Sequence, residues 1–253
     1  MQVAIGAEFR DFSKVSTLCQ SPLHMAYCLG PENSLLRQAM PAGLRGGWLG
    51  LLDTDAPPLP DPAALAEALV RECRRQQYAG VVLDFREPVR EDLQTLARCL
   101  GERLPRQRLT LCGPASLEGI PGLLPLICTA ISGGNLRSWL QETAARTQGR
   151  FALDLQRLRM DFPLPAREGL GHPLSGREFQ ALWDRLQPAS FYSPDLGTRY
   201  FSYEDRGAAH LVLYDDANTL RQKLNMAAAL NCPLAFLMWP EIRDLLPPKS
   251  SPA

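Results

Sequence analysis

Two hydrophobic periods take turns along this chain. Short apolar runs of four to eight residues, bounded by turn and cap residues, read as buried strands. Between them apolar side chains recur at three- and four-residue spacing, as on one face of a helix. Residues 2–9 predict a first strand with Glu8 near its end. Within an irregular stretch 10–46, residues 23–29 predict a short strand and 32–39 a short helix. Residues 46–53 predict a strand closing on Asp53. Asp61-Pro62 supplies an N-cap and a proline at the first helical position, opening a helix over 63–76 with Leu65, Leu69 and Cys73 on one face.

The second half continues the alternation. A helix over 88–104 carries the stripe Val89, Leu93, Leu96 and Leu100, and strands follow at 108–113, 123–131 and 150–155. Asn135 caps a helix running to 146, while 156–173 is proline-rich and irregular. Ser175 and Glu178 form a capping box for a helix reaching 186. Residues 199–203 and 209–214 predict a hairpin turning at 204–207. Asp215 or Asp216 caps a helix over 217–230, and 232–239 is the last strand, with Trp239 at its carboxyl end. Seven or eight strands alternating with helices predict an α/β protein, a (β/α)8 TIM barrel with a small β-hairpin insertion (about 198–214) before the last strand. One domain is expected over 1–246, with a disordered tail at 247–253.

Residues 77–88 hold the most informative strand. Successive side chains on a strand point to opposite faces, so Gly80, Val82, Asp84 and Arg86 would share one face and Val81, Leu83, Phe85 and Glu87 the other. The second set suits packing against helices, while the first begins small and ends charged, as the interior of a polar-mouthed barrel requires. Ligands bind at the carboxyl ends of parallel strands. Asp84 is therefore the leading candidate for a functional carboxylate, against a plainer role as a cap or as the ion-pair partner of Arg86.

Composition narrows the function classes. The 253 residues carry 27 basic and 27 acidic side chains, so no global field favours nucleic acid or an anionic membrane. No apolar run approaches the roughly 20 residues of a membrane span. No Gly-x-Gly-x-x-Gly follows the first strand and no Gly-Lys-Ser/Thr loop occurs, which leaves no expectation of a nucleotide or other cofactor. His24, His172 and His210 are far apart without ligand spacing, so no metal site is expected. The seven scattered cysteines and the non-signal-like first residues fit a reduced, cytoplasmic setting, or an extracellular one if an export signal lies outside the sequence. Trp48, Trp139, Trp183, Phe191 and Tyr192 read as core by default.

The 77–88 strand resembles glycoside hydrolase family 18, in its chitinase-like branch of cell-wall and spore-cortex hydrolases. That family carries Asp-x-x-Asp-x-Asp-x-Glu on its fourth strand, and the four positions here are Ala79, Val82, Asp84 and Arg86. Ser193-Pro194, Tyr200-Phe201-Ser202-Tyr203, His210, Tyr214-Asp215-Asp216-Ala217 and Lys223 are similar in order to the segment before the branch's last strand, and the likeness spans roughly 75–245. The resemblance implies an N-acetylglucosamine-containing glycan, peptidoglycan or chitin-like, as ligand, with Trp239 flooring a sugar subsite. It also implies hydrolysis assisted by the substrate's acetamido group, an exception to the two-carboxylate scheme. The departures matter: the family's glutamate acid is Arg86, a guanidinium that stays protonated, its middle aspartate is Val82, and a Tyr-Asp pair expected on strand six is missing from residues 128–132.

Three readings follow. One is a family 18-like homologue, catalytically impaired or inactive, that binds an amino-sugar glycan or a partner in the old cleft through Asp84, Arg86, Trp239, Glu8 and Asp53. Another is an active glycosidase whose acids are rearranged, with Asp84 working beside Glu87, Glu8 or Asp53. Glu87 lies one residue late, and a one-residue shift turns a side chain to the other face unless a bulge re-aims it. The third is a non-catalytic structural or assembly protein. The oligomeric state is not legible.

Overall fold

A computed structural model describes residues 1–38, 45–166 and 171–245. Eight parallel strands close into a barrel: β1 (Gln2–Ala7), β2 (Leu23–Leu29), β4 (Trp48–Leu52), β5 (Gly80–Asp84), β6 (Thr110–Pro114), β7 (Leu123–Cys128), β8 (Ala152–Asp154) and β14 (Leu234–Met238). They neighbour one another in chain order, and β14 returns beside β1, which pairs with β2 to shut the ring. A short strand β3 (Leu35–Arg37) adds antiparallel to β2. The helix predicted over 32–39 is thus replaced by a single 3-10 turn at Pro31–Asn33 and a strand, because Leu35 to Arg37 find backbone partners on β2; residue 39 lies outside the described residues.

Strand alternation sorts the core. Ala4, Leu23, Met25, Val82, Cys112 and Phe236 fill the barrel, with Trp48 edge-on to Phe236 at 5.3 Å between ring centroids. Leu49, Leu51, Val81, Leu83 and Leu111 point outward onto α2 (Pro62–Gln76) and α3 (Glu91–Arg103). Asp61 caps α2 by accepting from the Ala64 N–H at 3.0 Å. The helix α1 (Phe9–Ser16) occupies part of the stretch expected to be irregular. Among its described side chains it buries Phe12 and Val15, too few apolar positions for its period to be read.

Gly80 shows how tightly the site strand is held. A Cβ there would lie 2.0 Å from the Thr110 carbonyl oxygen and within 3 Å of the Thr110 carbonyl carbon and nitrogen, all backbone atoms of the neighbouring strand. Glycine in a strand marks such a close approach. Gly80→Ala is expected to lower stability by about 1–3 kcal/mol, the usual cost of overpacking, in a urea titration. A variant as stable as the parent would show that β5 and β6 can part freely.

The chain leaves the barrel after β8 and returns at α6 (Ala217–Ala229), the helix that precedes β14. The excursion is larger than the hairpin expected from the sequence. Its sheet has five strands in the order β10 (His172–Pro173), β9 (Arg159–Pro163), β13 (Ala208–Tyr214), β12 (Thr198–Asp205) and β11 (Phe191–Ser193). All its pairings are antiparallel, with β13 at the centre between β9 and β12. The stretch expected to be irregular thus supplies β9. Helix α5 (Gly176–Leu186), closed by the Ser175–Glu178 capping box, packs Phe179, Leu182 and Trp183 on Phe201, Val212 and Tyr214. Phe191 and Tyr192 stay exposed on β11, unlike the core placement expected of them.

A buried polar knot anchors this sheet to the barrel. Lys223 Nζ donates to Asp215 Oδ2 at 2.7 Å and to the Thr129 carbonyl at 3.1 Å, with both charged side chains fully enclosed. The Asp215 carboxylate also accepts from the Leu158 N–H, Thr198 Oγ1 and Thr219 Oγ1 at 2.8–3.1 Å. Asp216, its neighbour, caps α6 by accepting from the Asn218 and Thr219 N–H groups.

Candidate active site

The carboxyl ends of the barrel strands open onto two adjoining cavities. One, of about 260 Å³, runs down into the barrel between Met25, Val82, Phe236 and Met238, with Glu241 at its rim. The other, of about 420 Å³, spreads outward past Glu87, Pro114, Cys128 and Trp139, the last on α4 (Leu136–Thr147). Asp84, Leu126, Asp154 and Gln156 line both. Three carboxyl groups therefore border the first cavity, from the ends of β5 and β8 and from α7 (Trp239–Ile242), directly after β14.

Each acid has its own electrostatic setting. Asp84 faces the shared space, open at its tip; loss of water around it, with the negative charge of Asp53 nearby, raises its carboxyl above the ordinary range. Asp154 is more enclosed. Burial pushes it up to about 6, and Glu241 and Asp84 add like-charge repulsion, against a Gln156 Nε2–H that donates to Oδ2 at 2.6 Å and favours the ion. Glu241 is also raised, by burial first, although it accepts the Arg157 N–H at 3.1 Å. Among the described residues no group of three or more His, Cys, Asp or Glu side chains is gathered as a metal site.

The expected site residues divide. Asp84 lies where alternation puts it, on the cavity face with Val82. Arg86 does not: β5 ends at Asp84, so alternation no longer governs position 86, and its exposed side chain lines neither cavity. Among the described residues its backbone alone enters the site's bonding, the N–H donating to Asp53 Oδ2 at 3.1 Å. Glu87, expected on the opposite face, instead lines the second cavity. Helix α3 starts later than expected, with Arg90 as its N-cap, which frees Glu87 from helix entry.

Trp239 is the second correction. Leu234 and Phe236 point into the barrel and Ala235 and Leu237 out, while Trp239, the first residue of α7, is buried with Phe12, Val15, Leu220 and Ile242. It lines neither cavity. Glu8 stands exposed at the rim as the N-cap residue of α1, paired with Arg10 at 3.3 Å and outside both cavities. Asp53 acts behind the site, on Arg86 and Asp84. The sequence reading missed Asp154, Gln156 and Glu241. The signal for Asp154 was present: it ends a strand as Asp84 does, and shares an inward parity with Ala152.

The closed ring of parallel strands, with its cleft at their carboxyl ends, defines a TIM-barrel protein. Solved structures narrow the class. The Bacillus cereus spore cortex-lytic enzyme SleL superposes with a TM-score of 0.66 at 13% identity, over 94% of this chain and 70% of that one. A chitinase from Chromobacterium violaceum gives 0.65 at 14% identity, over 93% of each chain. A mutant GH18 chitinase from Cycas revoluta, in complex with (GlcNAc)4, gives 0.61 at 14% identity, over 97% and 96%. The chain thus has the GH18 chitinase fold. No family model matches its sequence, and no curated protein does.

Proposed function

We propose that this chain is a family 18-like glycoside hydrolase homologue that binds an N-acetylglucosamine-containing glycan, of peptidoglycan or chitin type, across the barrel mouth, and that hydrolysis there is slow. The observation that carries this reading is the acid-lined pair of cavities meeting at Asp84 and Asp154, at the carboxyl ends of strands in a chitinase-type barrel. The Cycas neighbour's (GlcNAc)4 complex supports the ligand class. The reading of slow hydrolysis comes from position 86: Arg86 stands where the family places its proton donor, and losing a general acid without a substitute costs roughly 10²–10⁴ in rate.

A second reading, hydrolysis by rearranged acids, gains from two features. Arg86 does not plug the cavities, and Glu87 and Asp154 both border them. Calorimetric titration with N-acetylglucosamine oligomers separates the possibilities. Saturable binding is expected, weakened roughly 10- to 100-fold in Asp84→Ala, since a hydrogen bond to a charged group contributes about 1.5–3 kcal/mol. Failure of the parent protein to bind any oligomer would leave the structural or assembly role.

A further inference from the structure

We propose that Asp154 is this site's proton donor, transferred from the family's position after the fourth barrel strand to the end of the seventh, with Asp84 as its ionised partner. The inference rests on the glycan reading above and names the acid within the same site. Asp154 lines both cavities, so a glycan occupying both would lay a linkage across it, with one sugar on either side.

Its bonding suits donation. Gln156 holds Oδ2, and among the described residues no group donates to Oδ1, which leaves that oxygen to carry a proton into the cavity. The groups bearing on it are Asp84 from β5, Glu241 from α7 and the Cys128 thiol from β7, with Glu87 on the wall of the shared second cavity. None of these is a cation, and among the described residues only the Gln156 amide donates to the Asp154 carboxylate. The other acids are committed or outlying. Glu241 accepts the Arg157 N–H, Asp53 accepts the Arg86 N–H, and Glu87 is exposed at the outer cavity.

The step needs only substrate and water. The Asp154 proton passes to the glycosidic oxygen as the C1–O bond breaks, and the bonding pair stays with the leaving hydroxyl. The acetamido carbonyl oxygen bonds to C1, and the Asp84 carboxylate stabilises the resulting oxazolinium cation. Water then adds to C1, the ring opens back to the acetamide, and the water's proton returns to Asp154. Two carboxyls set at different protonation states by their surroundings are a usual acid–base arrangement. The acid must be protonated, so the rate should be full below about pH 6 and fall tenfold per unit above it. It should fall again at low pH, as Asp84 takes up a proton.

The test uses the intact protein with an unactivated N-acetylglucosamine oligomer and a dinitrophenyl N-acetylglucosaminide, whose leaving group departs without protonation. Asp154→Asn should lose about 10²–10⁴ in rate on the oligomer, far less on the activated glycoside, and less than about threefold in affinity. Glu87→Gln should lose far less on the oligomer than Asp154→Asn does. A merely structural role for Asp154 would depress both substrates alike and overturn the assignment, as would an unchanged Asp154→Asn rate or a loss that follows Glu87→Gln. The parent's pH profile needs no variant, and a limb unrelated to pH 6 also refutes it. Binding without turnover of either substrate sinks Asp154 while sparing the glycan reading; no binding sinks both.

Discussion

Lys223→Met is expected to lower the unfolding free energy by about 3–5 kcal/mol, the usual consequence of removing one partner of a buried ion pair. The variant leaves the Asp215 carboxylate enclosed without its cation, and the Thr129 carbonyl without that donor. At about 2–4 °C per kcal/mol for a chain of this size, the midpoint should fall by roughly 6–20 °C in a calorimetric scan. Pairing the change with Asp215→Asn should recover part of the loss, because coupled sites are not additive. The effect reaches beyond one contact. Asp215 gathers donors from Leu158, which leads into β9, from Thr198 at the start of β12, and from Thr219 and Lys223 on α6. Hydrogen exchange should therefore rise first in the inserted sheet. A midpoint within 2 °C of the parent would show that the knot is dispensable.

This knot also separates what the sequence offered from what it withheld. Tyr214 to Ala217 and Lys223 carry the family resemblance, and the structure finds them securing the insertion: Asp216 caps α6, and Asp215 and Lys223 pair out of solvent's reach. A run of similar residues says that a fold is shared, and the reason for the run has to come from coordinates. The barrel itself was legible because each strand is short, apolar and followed by a cap or turn. The two faces of β5 were legible too, with Val82 and Asp84 inside and Val81 and Leu83 outside. Beyond the last paired residue alternation lapses, and Arg86 and Glu87 exchanged their expected places there. The third carboxyl, Glu241, belongs to a short helix after β14 that no periodic pattern announces. Most of β9 was hidden by its polar residues and neighbouring prolines, and its strand state comes from pairing with β13.

Trp239→Ala is expected to act on the fold and leave the ligand alone. The indole is buried between α1, α6 and its own helix, against Phe12, Val15, Leu220 and Ile242. Truncating a buried tryptophan costs about 3–5 kcal/mol through lost burial and the space left behind. That is comparable to the cation's removal but centred on the barrel's closing seam, where β14 meets β1. Since the ring packs in that cluster while Phe236 and Met238 line the first cavity, it cannot stack under a sugar there. The two roles make opposite predictions. A structural tryptophan gives a lowered midpoint with oligomer affinity unchanged at 10 °C, where the variant remains folded. A subsite floor would give near-parental stability with affinity reduced tenfold or more. The second pattern would mean that the start of α7 turns its indole into the barrel mouth, and it would overturn the placement of Glu241 beside Asp154 as well.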